Sequence, residues 1–339
     1  MTLIYFIIVL MVTIMIHELG HFIFAKLSNV YVYEFSIGMG PKIFSKKKKE
    51  TLYSLRLLPI GGYVSMAGED EADFKIPSDR QLCNKSFWPR FLTLVAGVSF
   101  NIILALIILF VIGLLYGNVK NDTVINYIDK DYPIAKTNIK ENDKIIKIDD
   151  ASISSYEDIA LELIVKNGKD LTFTVQHQNG EIEKVKVKPI KKDDNWTYGF
   201  SLENTREKGF INAIKYSFGQ TKKLFKQMFR TLQYLITGKL KLNSLSGPIG
   251  IYQIVGTASQ AGIINIIYLI AYLCINVAII NILPFPAFDG GRVLFLFIEV
   301  LTHKKVDSKI ENMIHTIGFI LLMILMIYIS YNDILKLFK

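Results

Sequence analysis

The sequence predicts a polytopic α-helical membrane protein with four transmembrane helices, a membrane-associated β region and an extracytoplasmic α+β domain. Three observations carry this prediction. The 339-residue chain is 51% hydrophobic, with a mean hydropathy of +0.34, too apolar for an ordinary soluble enzyme. Four stretches reach the roughly 20 apolar residues that a helix needs to cross a bilayer core: 3–26, 91–116, 263–283 and 314–331. Between the second and third, the long apolar runs stop and charge rises.

The first stretch does not read as a signal peptide. It lacks a basic start, and its apolar core leads into His-Glu rather than a small-residue cleavage site. Orientation follows from basic residues in short loops. "SKKKKE" at 45–50 places loop 27–90 in the cytoplasm, so the N-terminus, the long segment after the second span and the C-terminus are expected outside, in a multi-pass protein of the cell membrane. The net charge of +9 does not imply nucleic acid: the lysines are scattered through loops, as solvated faces and membrane-proximal anchors are. The lipid bilayer is the expected partner. Cys83 and Cys274 form no disulfide framework and are expected as free thiols.

The segments are expected at 1–30 (first span), 31–90 (cytoplasmic β region), 91–117 (second span), 118–190 (α+β domain), 191–262 (connector) and 263–339 (third and fourth spans). In 31–70, alternating β-formers broken by Gly38, Gly40-Pro41 and Gly61-Gly62 predict short strands joined by turns. "SYEDIALELIVKNG" predicts one amphipathic helix with Ile159, Leu163 and Val165 available for burial. Asn179-Gly180 predicts a hairpin turn, with Ile182, Val185 and Val187 alternating in its second arm. In 209–238, apolar residues recur at helical spacing while Lys215, Lys222, Lys223, Lys226 and Arg230 take other positions, which predicts a basic helix lying in the membrane interface or, as the alternative, a bent helix packed on the small domain.

The chemistry lies in "HELGH" at 17–21. Residues four apart share a helix face, so His17 and His21 can aim nitrogens at one ion. Glu18 is close enough to reach a water held there. This is the zinc hydrolase pattern of two ligands and a general base. Placed in an uncharged run, three such polar groups without a partner would be costly, which strengthens the metal reading. Zinc would lower the pKa of its water toward ~7 and polarise a carbonyl.

A catalytic zinc takes a third protein ligand and keeps one position open. "NILPFPAFDGGR" at 281–292 ends the third span, with two prolines breaking the helix before Asp289 and Gly290-Gly291 permitting close backbone approach. Asp289 is the best candidate, with His315 and Cys274 behind it. His177 and His303 stand in polar segments and are expected to face solvent.

These motifs resemble the site-2 protease family of intramembrane zinc metalloproteases, and most closely its PDZ-containing bacterial branch. "HELGH" and "NILPFPAFDGG" resemble its two signatures. "GMGPKIF", "YSLRLLPIGGYVSMAGED", "NKSFWPRFLTLVAG" and "SGPIGI" resemble further stretches of that branch, in the same order. The resemblance implies Zn2+ held by His17, His21 and Asp289, with Glu18 as catalytic base. It implies substrate contacts from Asn281, from Asn101 in the second span and from the strand around 58–64, including Gly61, Gly62 and Tyr63, by strand addition. It also implies a PDZ-like fold for the α+β domain, on "YPIAKTNIKENDKIIKIDD" at 132–150. Asn142 and Asp149-Asp150 stand where the pattern has glycine and Asn-Gly; left-handed turns tolerate them. Phe288 replaces a leucine, and Val98 a frequent proline.

The expected activity is hydrolysis of peptide bonds within transmembrane segments of single-span membrane proteins, such as anti-sigma factors or signal-peptide remnants, after an upstream site-1 type protease has trimmed the outer part. Two alternatives stand beside it: a metal-binding membrane transporter, which the same His and Asp ligands would serve, and a catalytically silent adaptor acting through its PDZ-like domain without bound zinc.

Overall fold

A computed structural model describes every residue except 70–74, 120–122, 193–194, 203–205, 241–243 and 338–339. The end of the predicted β region at Asp70, and short stretches of the predicted domain and connector, thus lie outside the described residues. Eight helices and twelve strands are found among the described residues. They form two compact units, Met1–Ile108 with Leu242–Lys339, and Leu109–Lys241.

In the first unit, α1 (Thr2–Leu27) carries no charge before Glu18 and stops at Ser28, where Asn29 turns left-handed at φ 53°. Next come β1 (Val32–Lys48), β2 (Thr51–Met66) and α2 (Phe87–Tyr116), the last continuous through Val98 and ended by Gly117. After the second unit come α5 (Pro248–Gln260), α6 (Ile263–Ile282), α7 (Asp289–Thr302) and α8 (Ser308–Leu337). Four helices are long and apolar enough to cross a membrane: Thr2–Leu27, Phe87–Tyr116, Ile263–Ile282 and Lys309–Lys336. These match the four expected stretches; the helix of the last extends further at both ends. α5 and α7 are not anticipated from the sequence. Gly247 precedes Pro248 at the start of α5, and the buried Asp333 carboxylate of α8 accepts from the Gly247 and Gly250 amides at 2.7 and 2.9 Å, capping that helix from a distance.

The predicted short strands join into two long ones. β1 and β2 turn back at Lys49, itself at φ 54°. Their register is doubled. Residues Glu34, Phe35, Ser36 and Ile37 pair with Ser65, Val64, Tyr63 and Gly62 on one side, and with Leu52, Tyr53, Ser54 and Leu55 on the other. Gly38, Gly40 and Gly61, all at positive φ, absorb the register shifts. The glycines therefore bend continuous strands instead of ending them. Val32, Phe35, Val64 and Met66 pack with Ala25, Val30 and Leu82, fixing the sheet to the end of α1.

The second unit holds β3 (Asn118–Val119), β4 (Ile125–Ile128), β5 (Lys144–Ile148), β6 (Ala151–Ser152), α3 (Tyr156–Val165), β7 (Leu171–Gln176), β8 (Ile182–Val187), β9 (Ile190–Lys192), β10 (Asn195–Thr197), β11 (Phe200–Leu202), β12 (Arg206–Glu207) and α4 (Phe210–Ile236). An antiparallel sheet runs β6-β5-β7-β8. The hairpin turns at Gly180 (φ 86°), and Asn142 and Asp149 do sit left-handed, at φ 72° and 49°. Ile145, Ile148, Ile159, Leu171, Phe173, Val175 and Val187 are buried in one core. That core extends past residue 190: it includes Tyr198, and β11 pairs with β4. Ile182, at the start of its strand, is 60% exposed, while Val185 and Val187 are buried.

Lys226 and Arg230 of α4 tie that helix to α3, as the alternative of a helix packed on the domain expects. Both reach the buried Asp158 of α3, at 3.1 and 2.8 Å, while Gln220 donates to Glu157 and the Tyr234 hydroxyl to Glu162. Burial opposes ionisation of Asp158, yet the Ser154 hydroxyl and amide, Lys226 and Arg230 hold its carboxyl below the usual range. His177 is half-buried at the edge of an open cavity and is paired there: it lies between Asp143 Oδ2 at 2.9 Å and Glu183 Oε2 at 3.2 Å, and these carboxylates raise its pKa.

Candidate metal centre and active site

His17 and His21 lie one turn apart on α1, both buried. Their Nε2 atoms are 3.2 Å from each other. Asp289 Oδ2 lies 3.1 Å from His17 Nε2 and 3.4 Å from His21 Nε2. Among the described residues, these three are the group of His, Cys, Asp and Glu side chains whose ligand atoms converge enough to hold a metal ion. Cys274 lies apart, its Sγ 4.0 Å from Thr13 Oγ1, and both cysteines are free. His315 is engaged elsewhere, accepting from the Ala287 amide.

Two neighbours fix the geometry. His21 Nδ1 is 2.8 Å from the Thr93 carbonyl oxygen of α2. A carbonyl only accepts, so Nδ1 carries the proton and the Nε2 lone pair faces Asp289. Gly97, one turn further along α2, lies against both imidazoles: a Cβ there would overlap His21 Nε2 and sit 2.8 Å from His17 Nδ1. Gly20 on α1 is equally tight, since its Cβ would lie 2.5 Å from the Ala96 carbonyl oxygen. The two helices thus meet backbone to backbone at the histidines.

Asp289 is the first residue of α7, directly after the 283–288 turn, rather than part of a simple surface turn. A Cβ on Gly290 would overlap the Ile282 and Leu283 carbonyl oxygens, and one on Gly291 would lie 2.6 Å from that of Phe285. Only glycines let the chain fold back this closely. Arg292 then donates to the Glu69 carbonyl at 2.8 Å. A cavity of about 210 Å³ lies beside these groups, lined by Glu69, Arg90, Leu94, Arg292 and Glu299 among others. A larger one, about 480 Å³, belongs to the second unit and is lined by His177 and Glu183 among others.

The donor set fits zinc. Ligand atoms about 2.0–2.1 Å from one tetrahedral ion are roughly 3.3–3.4 Å apart, close to the three observed separations. Asp289 Oδ2 is buried without a hydrogen-bond partner among the described residues. The His21 lone pair and the Asp289 oxygen facing one another are mutually repulsive unless a cation or a proton lies between them.

Glu18 follows His17 on α1. Beside it runs β2: a Cβ on Gly62 would lie 3.7 Å from Glu18 Cγ and 2.7 Å from the Ser36 carbonyl oxygen. Gly61, at φ 94°, adjoins Met39. Tyr63 points its hydroxyl to Arg56, which also binds Glu34, so its side chain is committed within the sheet. Asn101 is fully buried in α2, and both polar atoms of its amide lack partners among the described residues. Asn281 is half-buried near the end of α6. The structure therefore gathers His17, His21 and Asp289 into one cluster and brings Gly62 to Glu18, while Tyr63 turns to other contacts. Sequence reasoning did not anticipate the Thr93 carbonyl, which no side-chain pattern signals, or the role of Gly97, whose only signal was a glycine inside a long apolar helix.

A model of peptidase family M50 matches residues 5–325. A relative from Clostridium acetobutylicum, whose name marks it as a candidate zinc metalloprotease, is 38% identical over 325 residues, covering 95% of this chain and 94% of its own. "Regulator of sigma-W protease RasP" of Bacillus subtilis is 32% identical over 418 aligned positions, covering 99% of each chain. "Zinc metalloprotease RasP" of Bacillus licheniformis is 31% identical over 416, again covering 99% of both.

Proposed function

The chain belongs to peptidase family M50 and is an intramembrane zinc metalloprotease; from that premise we propose which residues do the work, on what substrate and in what orientation. The observation that carries the assignment is the convergence of His17, His21 and Asp289, with Glu18 on the same helix turn as the histidines. These three hold Zn2+, which when bound supplies a Lewis acid and an acidified water. Glu18 takes the proton of the attacking water and returns it to the leaving amine. Thr93 keeps His21 in the tautomer that presents Nε2. The metal transporter and silent adaptor leave Glu18 without a role.

A peptide in a helix hides its carbonyls, so the substrate segment has to unwind before attack. The Gly62–Met66 side of β2 carries a free edge beside Glu18 among the described residues. Strand addition there would hold the segment extended, and Asn281 and Asn101 supply further polar contacts. The substrates are transmembrane segments of single-span proteins, anti-sigma factors or signal-peptide remnants among them, released by an upstream site-1 type protease. Loop 27–90 lies in the cytoplasm. The N-terminus and the 118–190 domain, PDZ-like in its one helix on an antiparallel sheet, lie outside.

Glu18→Gln tests the assignment. Purified protein should keep about one zinc and lose cleavage of a model transmembrane substrate. Persistent cleavage would refute Glu18 as the base; lost zinc would place Glu18 among the ligands.

A further inference from the structure

We propose that His315 of α8 is a positioning residue for Asp289, holding the turn that presents its carboxylate; the proposal rests on the reading of Asp289 as a metal ligand. The turn needs holding. Ala287, two residues before Asp289, sits at φ 82°, a conformation that strains any residue with a Cβ. Its amide is tied by a single distant group: the N–H donates to His315 Nδ1 at 3.1 Å. An amide only donates, so Nδ1 is the unprotonated nitrogen and the proton is on Nε2, which lies 4.0 Å from Glu311 Oε1 one turn earlier in α8.

α8 grips the same turn at two other points. A Cβ on Gly318 would lie 2.5 Å from Pro286 Cβ and 2.6 Å from its carbonyl oxygen, so the helix backbone is seated directly on Pro286. A Cβ on Gly291 would lie 3.3 Å from His315 Cε1, so the imidazole also packs against the first turn of α7. The Phe295 ring, one turn further along α7, stands 5.8 Å from that of His315. The ring thus touches the chain on both sides of Asp289 while leaving its carboxylate to the histidines of α1. A side chain that looks like a spare ligand in the sequence sets the aim of a real one. Groups that orient ligands without touching the ion typically change metal affinity 10–100-fold.

The test uses the full chain purified in detergent, loaded with zinc or cobalt(II). His315→Leu should bind zinc 10–100-fold more weakly, alter the visible spectrum of the cobalt form, and lower kcat with KM nearly unchanged. His315→Asn can place its oxygen where Nδ1 stands, whereas His315→Gln places an acceptor where Nε2 stands. The proposal requires Asn to recover most of the affinity and the cobalt spectrum, and Gln to remain deficient; this pair decides the matter even if the leucine variant fails to fold. Equal behaviour of Asn and Gln, or an unchanged cobalt spectrum in a folded leucine variant, would overturn it. Asp289→Asn tests the underlying reading separately. If it keeps full zinc affinity, that reading fails; if it loses zinc while the His315 variants are normal, only the role of His315 falls.

Discussion

Replacing Gly97 by alanine adds one methyl group to α2. That methyl would lie 2.7 Å from His17 Cε1 and 2.8 Å from His17 Nδ1, and would overlap His21 Nε2. Non-bonded contacts of this kind are comfortable near ~3.5 Å, so α1 and α2 must part by roughly 1 Å to relieve the closest contact, that with His21 Nε2, or the imidazoles must turn. Neither is free, because the Thr93 carbonyl holds His21 from the same helix. Overpacking of this kind costs about 1–3 kcal/mol. If the cost falls on the metal-bound arrangement, zinc affinity drops about 5–150-fold. The assay is competition for zinc between the purified protein and a chelating dye, alongside cleavage of a model transmembrane substrate. Gly219→Ala in α4 is the control, since nothing lies within 4 Å of its added Cβ; it should leave both readouts unchanged and stabilise α4 by about 0.5–1 kcal/mol. A Gly97→Ala protein that binds zinc as tightly as wild type would show that the two helices do not meet as described.

Two other perturbations separate recognition from metal binding and the second unit from the first. Gly62→Val would press on the Ser36 carbonyl, 2.7 Å from the added Cβ, and push β2 from its place beside Glu18; kcat/KM should fall about tenfold or more, for about 1.4 kcal/mol, with zinc stoichiometry unchanged, and loss of the metal would refute a purely substrate-side effect. Asp158 has a lowered folded pKa, so its contribution is present above the unfolded value of about 3.9 and is lost as pH falls through the folded value below it. Hydrogen exchange in α3 and α4 of wild type should therefore accelerate as pH drops below ~4, relative to the intrinsic rate. Asp158→Asn should accelerate it about 10–100-fold at neutral pH, from charged hydrogen bonds worth about 1.5–3 kcal/mol, and should flatten the acid response; slow exchange in that variant would show that α4 is held by apolar contacts alone.

Much of the site was legible because its chemistry is local. His17, Glu18 and His21 fall within one helix turn and a little more, so their spacing alone implies convergence. The prolines and paired glycines around Asp289 announce a broken helix whatever packs on it. The four spans follow from runs of apolar side chains, which report the solvent of a segment directly. What the sequence did not disclose depends on partners distant along the chain. The Thr93 carbonyl orients His21 through a backbone atom that has no letter. α7 begins at a carboxylate and continues apolar, so it is hidden between a motif and the last span. Nothing near Lys226 and Arg230 in the sequence names Asp158, the α3 partner that both reach. The glycines of the β region resemble turn residues and so predict short strands; in the sheet they serve as bulges, since the register lets β1 pair with two stretches of β2.

Asp289 follows His17 and His21 by about 270 residues along the chain. A cation gripped by all three would therefore be a fastener as well as a reagent, lacing α1 to α7. Closing so long an excursion of chain is entropically expensive only once, and a ligand present solely in the folded state repays it in proportion to its binding. Chelation should accordingly do two kinds of damage, silencing hydrolysis and unlacing α1 from α7.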